Sequence, residues 1–320
     1  MDLFGAFSDL PLARSTTDLS AIALSGRRHD FLARSVDGSP VFLLKDSSPA
    51  TYAPGVELRN ISVQFHSTCR VTVAGHSLED QFAVIACGAA VPELHEIFVR
   101  CFLAVVEDLP LSSTTVDLQR CIQTLLNLFR SLGAVGRREV SGLWAELFVI
   151  SRSNDVALAL RSWRENSFER FDFSWPSGCL EVKATAKEQR QHEFALEQLQ
   201  PSGGAGFVVS VLIQQLSGGV GVIDLANSIE RHIAGEPRLR RKLWENIASA
   251  LGSDFSERLD KRFDPSYAER NLVVYAMEDI PAPEQPHDRR ITGLRFRVDL
   301  SSVQSSLAPG RAGSLHSLFG

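Results

Sequence analysis

From residue 30 to residue 87, apolar and polar positions alternate in short runs bounded by turn residues. The runs predict strands over 30–36, 41–45, 57–66, 70–73 and 82–87, with turns at Asp37-Gly38 and Ala74-Gly75. That is a small β-rich unit. Beyond it the period lengthens: Leu94, Ile97, Phe98, Cys101, Phe102 and Val105 recur at helical spacing, as do Leu118, Ile122, Leu125, Leu126 and Phe129. Helices are predicted over 92–107 and 116–132, joined by a linker at 109–115. Apart from one cysteine, Cys101, the stripes carry no ligand side chains, so both read as core packing.

The second half mixes the two periods. A strongly apolar helix, 142–150, and a second helix over 155–165 precede two strands, 171–175 and 180–185, on either side of the turn residues Pro176-Ser177-Gly178. A helix is predicted over 191–200, a buried Val-rich strand over 206–214, helices over 222–233 and 242–251, and strands over 272–277 and 293–300. The Pro-rich loop 281–286 separates the last two strands. The predicted fold class is α/β, a mixed sheet flanked by helices and preceded by the β-rich unit. The predicted organisation is a β-rich domain with a closing helix over 1–110, an α/β domain over 111–305 and a loosely held Ser-, Gly- and Ala-rich tail over 306–320.

Candidate chemistry lies on the two central strands, which read Phe171-Asp172-Phe173-Ser174-Trp175 and Cys179-Leu180-Glu181-Val182-Lys183-Ala184-Thr185. In a strand, residues i and i+2 share a face, so Glu181 and Lys183 stand side by side while Val182 faces the core. Carboxylates on adjacent strands can hold Mg²⁺ with water and phosphate filling its other positions, and a lysine can hold the attacking water or a phosphate as a point charge. An ordinary hairpin with exposed charges is the alternative. Glu146, alone among apolar neighbours in 142–150, is costly to bury unless paired or bound to metal. An ion pair with a nearby arginine, such as Arg137 or Arg152, is the alternative.

Composition narrows the classes. With 320 residues, 44% hydrophobic and 22% charged, the chain can bury a substantial core. Five scattered cysteines without a Cys-x-x-Cys pair suggest neither a disulfide framework nor a zinc ribbon, and fit a reducing cytoplasm. The acidic start and the lack of a membrane-length apolar run argue against secretion and membrane insertion. The net charge of −5 argues against coating nucleic acid by bulk charge, though a local basic surface would suffice. Candidates for that surface are Arg238-Leu239-Arg240-Arg241-Lys242, the set Arg161, Arg164 and Arg170, and the trio Lys187, Arg190 and Arg289. No P-loop, Gly-x-Ser-x-Gly elbow, helix-turn-helix or zinc finger is found.

A helix with an acid, a strand with Asp, a turn and a strand with Glu-x-Lys together resemble the PD-(D/E)xK nucleases, which include type II restriction endonucleases and Holliday-junction resolvases. Gly142-Leu143-Trp144-Ala145-Glu146-Leu147, the two strands and His192-Glu193-Phe194-Ala195-Leu196-Glu197-Gln198-Leu199 are similar to a family of bacterial PD-(D/E)xK proteins met beside phage-defence and restriction-modification genes. The resemblance spans about 136–225, and Phe171 stands where the eponymous proline would be. It implies a restriction-endonuclease-like core acting on DNA with Mg²⁺, or Mn²⁺ in its place. Asp172, Glu181 and the carbonyl of Val182 would be metal ligands, Lys183 the catalytic lysine and Glu146 an accessory acid. His192, at the start of the predicted helix 191–200, would lie close to the phosphate or water, unless it is a helix-surface histidine with a local hydrogen bond. Gln198 would orient Lys183 or contact the scissile strand.

The expected function is thus a Mg²⁺-dependent DNA endonuclease of a restriction or anti-phage system, with partner proteins of that system. The alternative is a catalytically inactive DNA- or partner-binding subunit of a defence complex. A double-strand break needs two sites, so a homodimer is expected, with the β-rich front part or the helices 92–107 and 116–132 as its interface.

Overall fold

The computed structural model describes residues 3–24, 28–49, 52–58, 61–88, 92–133, 139–165, 169–201, 203–251, 261–285, 290 and 293–305. The chain divides into two compact units, Met1–Gly133 and Ala134–Gly320.

The first unit holds α1 (Leu3–Ser8), strands β1 (Asp18–Ala23), β2 (Phe31–Arg34), β3 (Pro40–Lys45), β4 (Val56–Glu57), β5 (Ile61–Val73) and β6 (His76–Cys87), then α2 (Pro92–Val106) and α3 (Thr115–Gly133). The sheet order is β1-β2-β3-β6-β5-β4, and a parallel pairing of β1 with β5 closes five of the strands on themselves, leaving the short β4 at the edge. Strand alternation sends Leu19, Phe31, Val41, Leu43, Val71 and Phe82 to one buried cluster. Phe42, on the opposite face of β3, stacks on Phe102 of α2 at 3.9 Å. The strands predicted over 57–66 and 70–73 are one long strand, because a bulge between Gln64 and Ser67, with His66 at φ 54°, absorbs the break in alternation. β1 escaped prediction because its inward positions are only Leu19 and Ala21.

Helix α3 belongs to this first unit, so the division falls after Gly133 and not at 110. The reason lies at its first turn, where the Thr115 hydroxyl donates to Asp46 at 2.7 Å and the Thr115 amide donates to Ser48 Oγ at 2.9 Å. The apolar stripes of α2 and α3 are buried: Ile97, Phe98, Phe102, Leu118, Ile122 and Leu125 are each at most 3% exposed, which takes those stripes out of use as a dimer interface.

The second unit holds α4 (Val140–Ser151), α5 (Val156–Ser162), β7 (Phe173–Trp175), β8 (Gly178–Thr185), β9 (Gln191–Ala195), β10 (Ala205–Leu212), β11 (Gln215–Val220), α6 (Val222–His232), α7 (Pro237–Leu251), α8 (Pro265–Arg270), β12 (Leu272–Ala276) and β13 (Arg295–Asp299). Its main sheet runs β12-β10-β8-β7, with β8 and β10 parallel and the outer pairs antiparallel. This is the mixed α/β core expected. Helix α4 packs on β8 and α6, and its run from Leu143 to Ile150 is buried throughout, as an all-round apolar helix requires.

The segment predicted as a helix over 191–200 is instead strand β9 followed by a 3-10 turn, Leu196–Leu199. Buried His192 and Phe194 alternate with exposed Glu193, a period of two, and pairing with β13 outweighs the helix preference of the Glu, Ala, Leu and Gln residues. The predicted tail 306–320 lies outside the described residues. Among the described residues no helix is long and apolar enough to cross a membrane.

Candidate active site

The β7–β8 hairpin builds the site. Its turn is tight enough that Trp175 pairs with Gly178, and a Cβ at Gly178 would meet the Ala205 carbonyl at 2.6 Å, so only glycine lets the hairpin lie against β10. The β7 ladder stops at Phe173 opposite Leu180, and Asp172 lies one residue ahead of the strand, not within it. Its carboxylate takes over where the ladder ends: Asp172 Oδ2 accepts the Val182 amide at 2.8 Å. In an extended strand the amide and carbonyl of one residue face the same edge. The Val182 carbonyl therefore faces the edge that Asp172 occupies.

Glu181 and Lys183 do share a face, joined by an ion pair of 2.9 Å. Gln198, from the 3-10 turn, fixes both: its side-chain amide donates to Glu181 Oε1, and its Oε1 accepts from Lys183 at 3.1 Å and from the Ala195 amide at 3.0 Å. The Lys183 ammonium also sits 5.1 Å from the Phe194 ring centre, within cation–π range. These are not exposed hairpin charges, since Asp172 and Glu181 are each only 4% exposed.

Glu146 reaches the same place from α4. Its partners are the Trp163 indole N–H at 2.8 Å and Arg164 at 2.6 Å. Neither arginine expected from the sequence fills that role: Arg152 pairs with Glu269 at 3.3 Å, and Arg137 lies outside the described residues. Arg164 Nη2 also touches Asp172 at 2.8 Å, so one nitrogen spans two carboxylates. Read from sequence as a surface cation, Arg164 is an interior residue of the site. The buried cluster then holds three carboxylates, Glu146, Asp172 and Glu181, against two cations, Arg164 and Lys183.

That surplus of negative charge falls on Glu181. Burial, and next the charge of Asp172, push its carboxyl up to about 8, with Lys183 and Arg164 pulling the other way. Its second oxygen, Oε2, is buried without a hydrogen-bond partner. A lone buried carboxylate oxygen is costly unless a proton or a cation meets it. The donor set fits a hard divalent cation: carboxylates and a backbone carbonyl on one strand edge beside an unmatched oxygen. Among the described residues no group of three or more His, Cys, Asp and Glu side chains is arranged to hold a metal.

His192 lies on β9, not at a helix start, and its ring pairs with Ser210 Oγ at 2.8 Å. Desolvation, aided by the charges of Lys183 and Arg190, lowers its pKa to about 4, so the ring is neutral at ordinary pH. Arg190, expected on a basic surface, instead donates to the Ser210 carbonyl and hydroxyl at 3.0 Å and to the Asn271 carbonyl at 2.6 Å. Ser210 sits in register with Lys183 on the neighbouring strand, so this network lies beside the lysine on the same sheet. Ser210 was missed because a lone serine in a Val-rich strand gives no signal of its partners. Arg164 had one faint signal, the Trp163-Arg164 pair between an acid-bearing helix and an acid-bearing strand. Arg289 lies outside the described residues.

Comparison with curated proteins and with solved structures finds no match. One family model does match, over residues 6–301, with the description "Putative PD-(D/E)XK family member, (DUF4420)". Covering nearly the whole chain, both units included, that match together with the Asp172, Glu181 and Lys183 constellation identifies this protein as a member of that PD-(D/E)XK-like family.

Proposed function

We propose that this protein is a Mg²⁺-dependent DNA endonuclease, a cytoplasmic enzyme of a restriction or anti-phage system. The observation that carries the reading is Glu181: a buried carboxylate with one unmatched oxygen, held between Asp172 and a lysine. Asp172, Glu181 and the Val182 carbonyl are the groups that would hold the ion. When bound, such an ion supplies Lewis acidity and lowers the pKa of a water molecule. The rest falls to side chains of the protein. Gln198 fixes the rotamers of Glu181 and Lys183 together, so that the ammonium is directed at the phosphate or water and not freely rotating. Lys183 meets negative charge as it grows on the phosphate oxygens. The Trp163 and Arg164 contacts keep Glu146 fixed behind Asp172.

A second reading has its own observation. Arg164 already neutralises Asp172, and a protein that keeps it there would bind DNA or a partner without cutting. Isothermal titration with Mn²⁺ separates the two. A nuclease site binds Mn²⁺ in the wild type and loses that binding in Glu181→Gln, whereas an inactive site shows the same feeble binding in both. Double-strand cleavage calls for two such sites, and we propose a homodimer formed through surface other than the covered stripes of α2 and α3. Light scattering that shows a monomer with and without DNA would overturn the dimer.

A further inference from the structure

Helix α7 carries the basic run Arg238 to Lys242, which the site described above does not use. With the end of α5 it lines an open cavity of about 420 Å³ whose walls are Arg161, Glu165, Arg238, Leu239, Arg241, Lys242, Glu245 and Asn246. Four cations face two acids there. Cations near the start of a helix oppose its dipole, though two of them are paired, Arg240 with Glu230 of α6 at 3.2 Å and Arg241 with Glu245 at 3.8 Å. The cavity walls are well fixed: Lys242 donates to the Arg161 carbonyl at 2.9 Å, and Arg161 makes a double contact with Glu236 at 2.7 and 2.8 Å.

The cavity adjoins the carboxylate cluster. Asn246, one of its lining residues, donates to the backbone carbonyl of Arg164 at 2.7 Å, while the guanidinium of the same Arg164 touches Asp172 and Glu146. Arg164 thus links a residue that lines the cationic recess to the acids. A polyanionic strand whose one phosphate lay at Asp172 and Glu181 would bring a neighbouring phosphate to this recess, and a single small anion would not need both.

We infer that the α5–α7 cavity is a backbone-phosphate subsite, seating a phosphate adjacent to the scissile one through Arg238, Arg241 and Lys242. The inference rests on the nuclease reading for its substrate class, and it carries no base specificity, since phosphate contacts position a strand without reading its sequence.

The test uses the full-length protein in metal-free buffer, a fluorescently labelled DNA duplex, and anisotropy titrations over a range of salt. Arg238→Gln and Arg241→Gln are each expected to weaken binding several-fold whatever the sequence, and to lower the slope of log affinity against log salt by about one. Mn²⁺ binding by both variants should match wild type, which separates this subsite from the metal site: loss of Mn²⁺ binding in Glu181→Gln tests the nuclease reading alone. Unchanged DNA affinity and salt slope in both variants would overturn the subsite, as would a wild type that binds no duplex. So would full displacement of the duplex from wild type by millimolar inorganic phosphate, which would make the recess a small-anion pocket. If a glutamine variant fails to fold, Arg238→Lys keeps the charge and is expected to retain the wild-type salt slope.

Discussion

Arg164 Nη2 stands 2.8 Å from Asp172 and 2.6 Å from Glu146, so a single guanidinium nitrogen divides its charge between the two acids. A divalent ion at Asp172 competes with that cation for the same carboxylate. At an effective dielectric of about 20, unit charges a few ångströms apart interact by several kcal/mol, enough for the competition to be measurable. Arg164→Gln should tighten Mn²⁺ binding by roughly tenfold or more on that argument. Glu146→Gln should do the reverse, because it leaves Arg164 wholly to Asp172. Calorimetry on both variants checks the pair of signs; equal affinities throughout would show that Arg164 is only a structural contact.

Gln198 hydrogen-bonds both Glu181 and Lys183. Replacing it by leucine keeps the volume and removes the hydrogen bonds. Groups that orient a metal ligand typically matter by 10- to 100-fold, so cleavage in single turnover should fall by about that factor while circular dichroism stays unchanged. Wild-type rates would mean that the lysine needs no such orientation.

The acidic site opposes stability. A carboxyl raised from 4.5 to about 8 by burial favours its neutral form in the folded state, so its burial is least costly below pH 4.5 and destabilises the fold progressively as pH rises from there to about 8. Glu181→Gln, permanently neutral, should therefore melt above the metal-free wild type at pH 8, by several degrees, and close to it at pH 4.5. Thermal unfolding at the two pH values reads this directly, and a variant less stable at pH 8 would contradict the charge surplus.

The sequence was most readable where period and turn chemistry agreed. Pro176-Ser177-Gly178 between two apolar runs announced the hairpin, and residue parity put Glu181 beside Lys183. Two failures have physical causes. The segment from Gln191 to Leu199 carries helix-favouring residues, but β13 pairs with it, and that partner lies about a hundred residues away in the chain. Glu146 was matched to arginines near it in the chain, whereas its partner arrives on the loop after α5, brought there by a backbone bond between the Arg164 amide and the Asp172 carbonyl at 2.9 Å. Local pattern reads strands and their faces. It does not read which distant cation a buried acid has taken.

Cleavage of supercoiled plasmid under Mg²⁺, with wild type beside Glu181→Gln and Lys183→Ala at matched concentrations, tests the central claim most directly. The account predicts nicked or linear product from the wild type, none when a chelator replaces Mg²⁺, and a loss of at least about a hundredfold in each variant, as expected when electrostatic stabilisation of the transition state is removed. Cutting by both variants at the wild-type rate would contradict it.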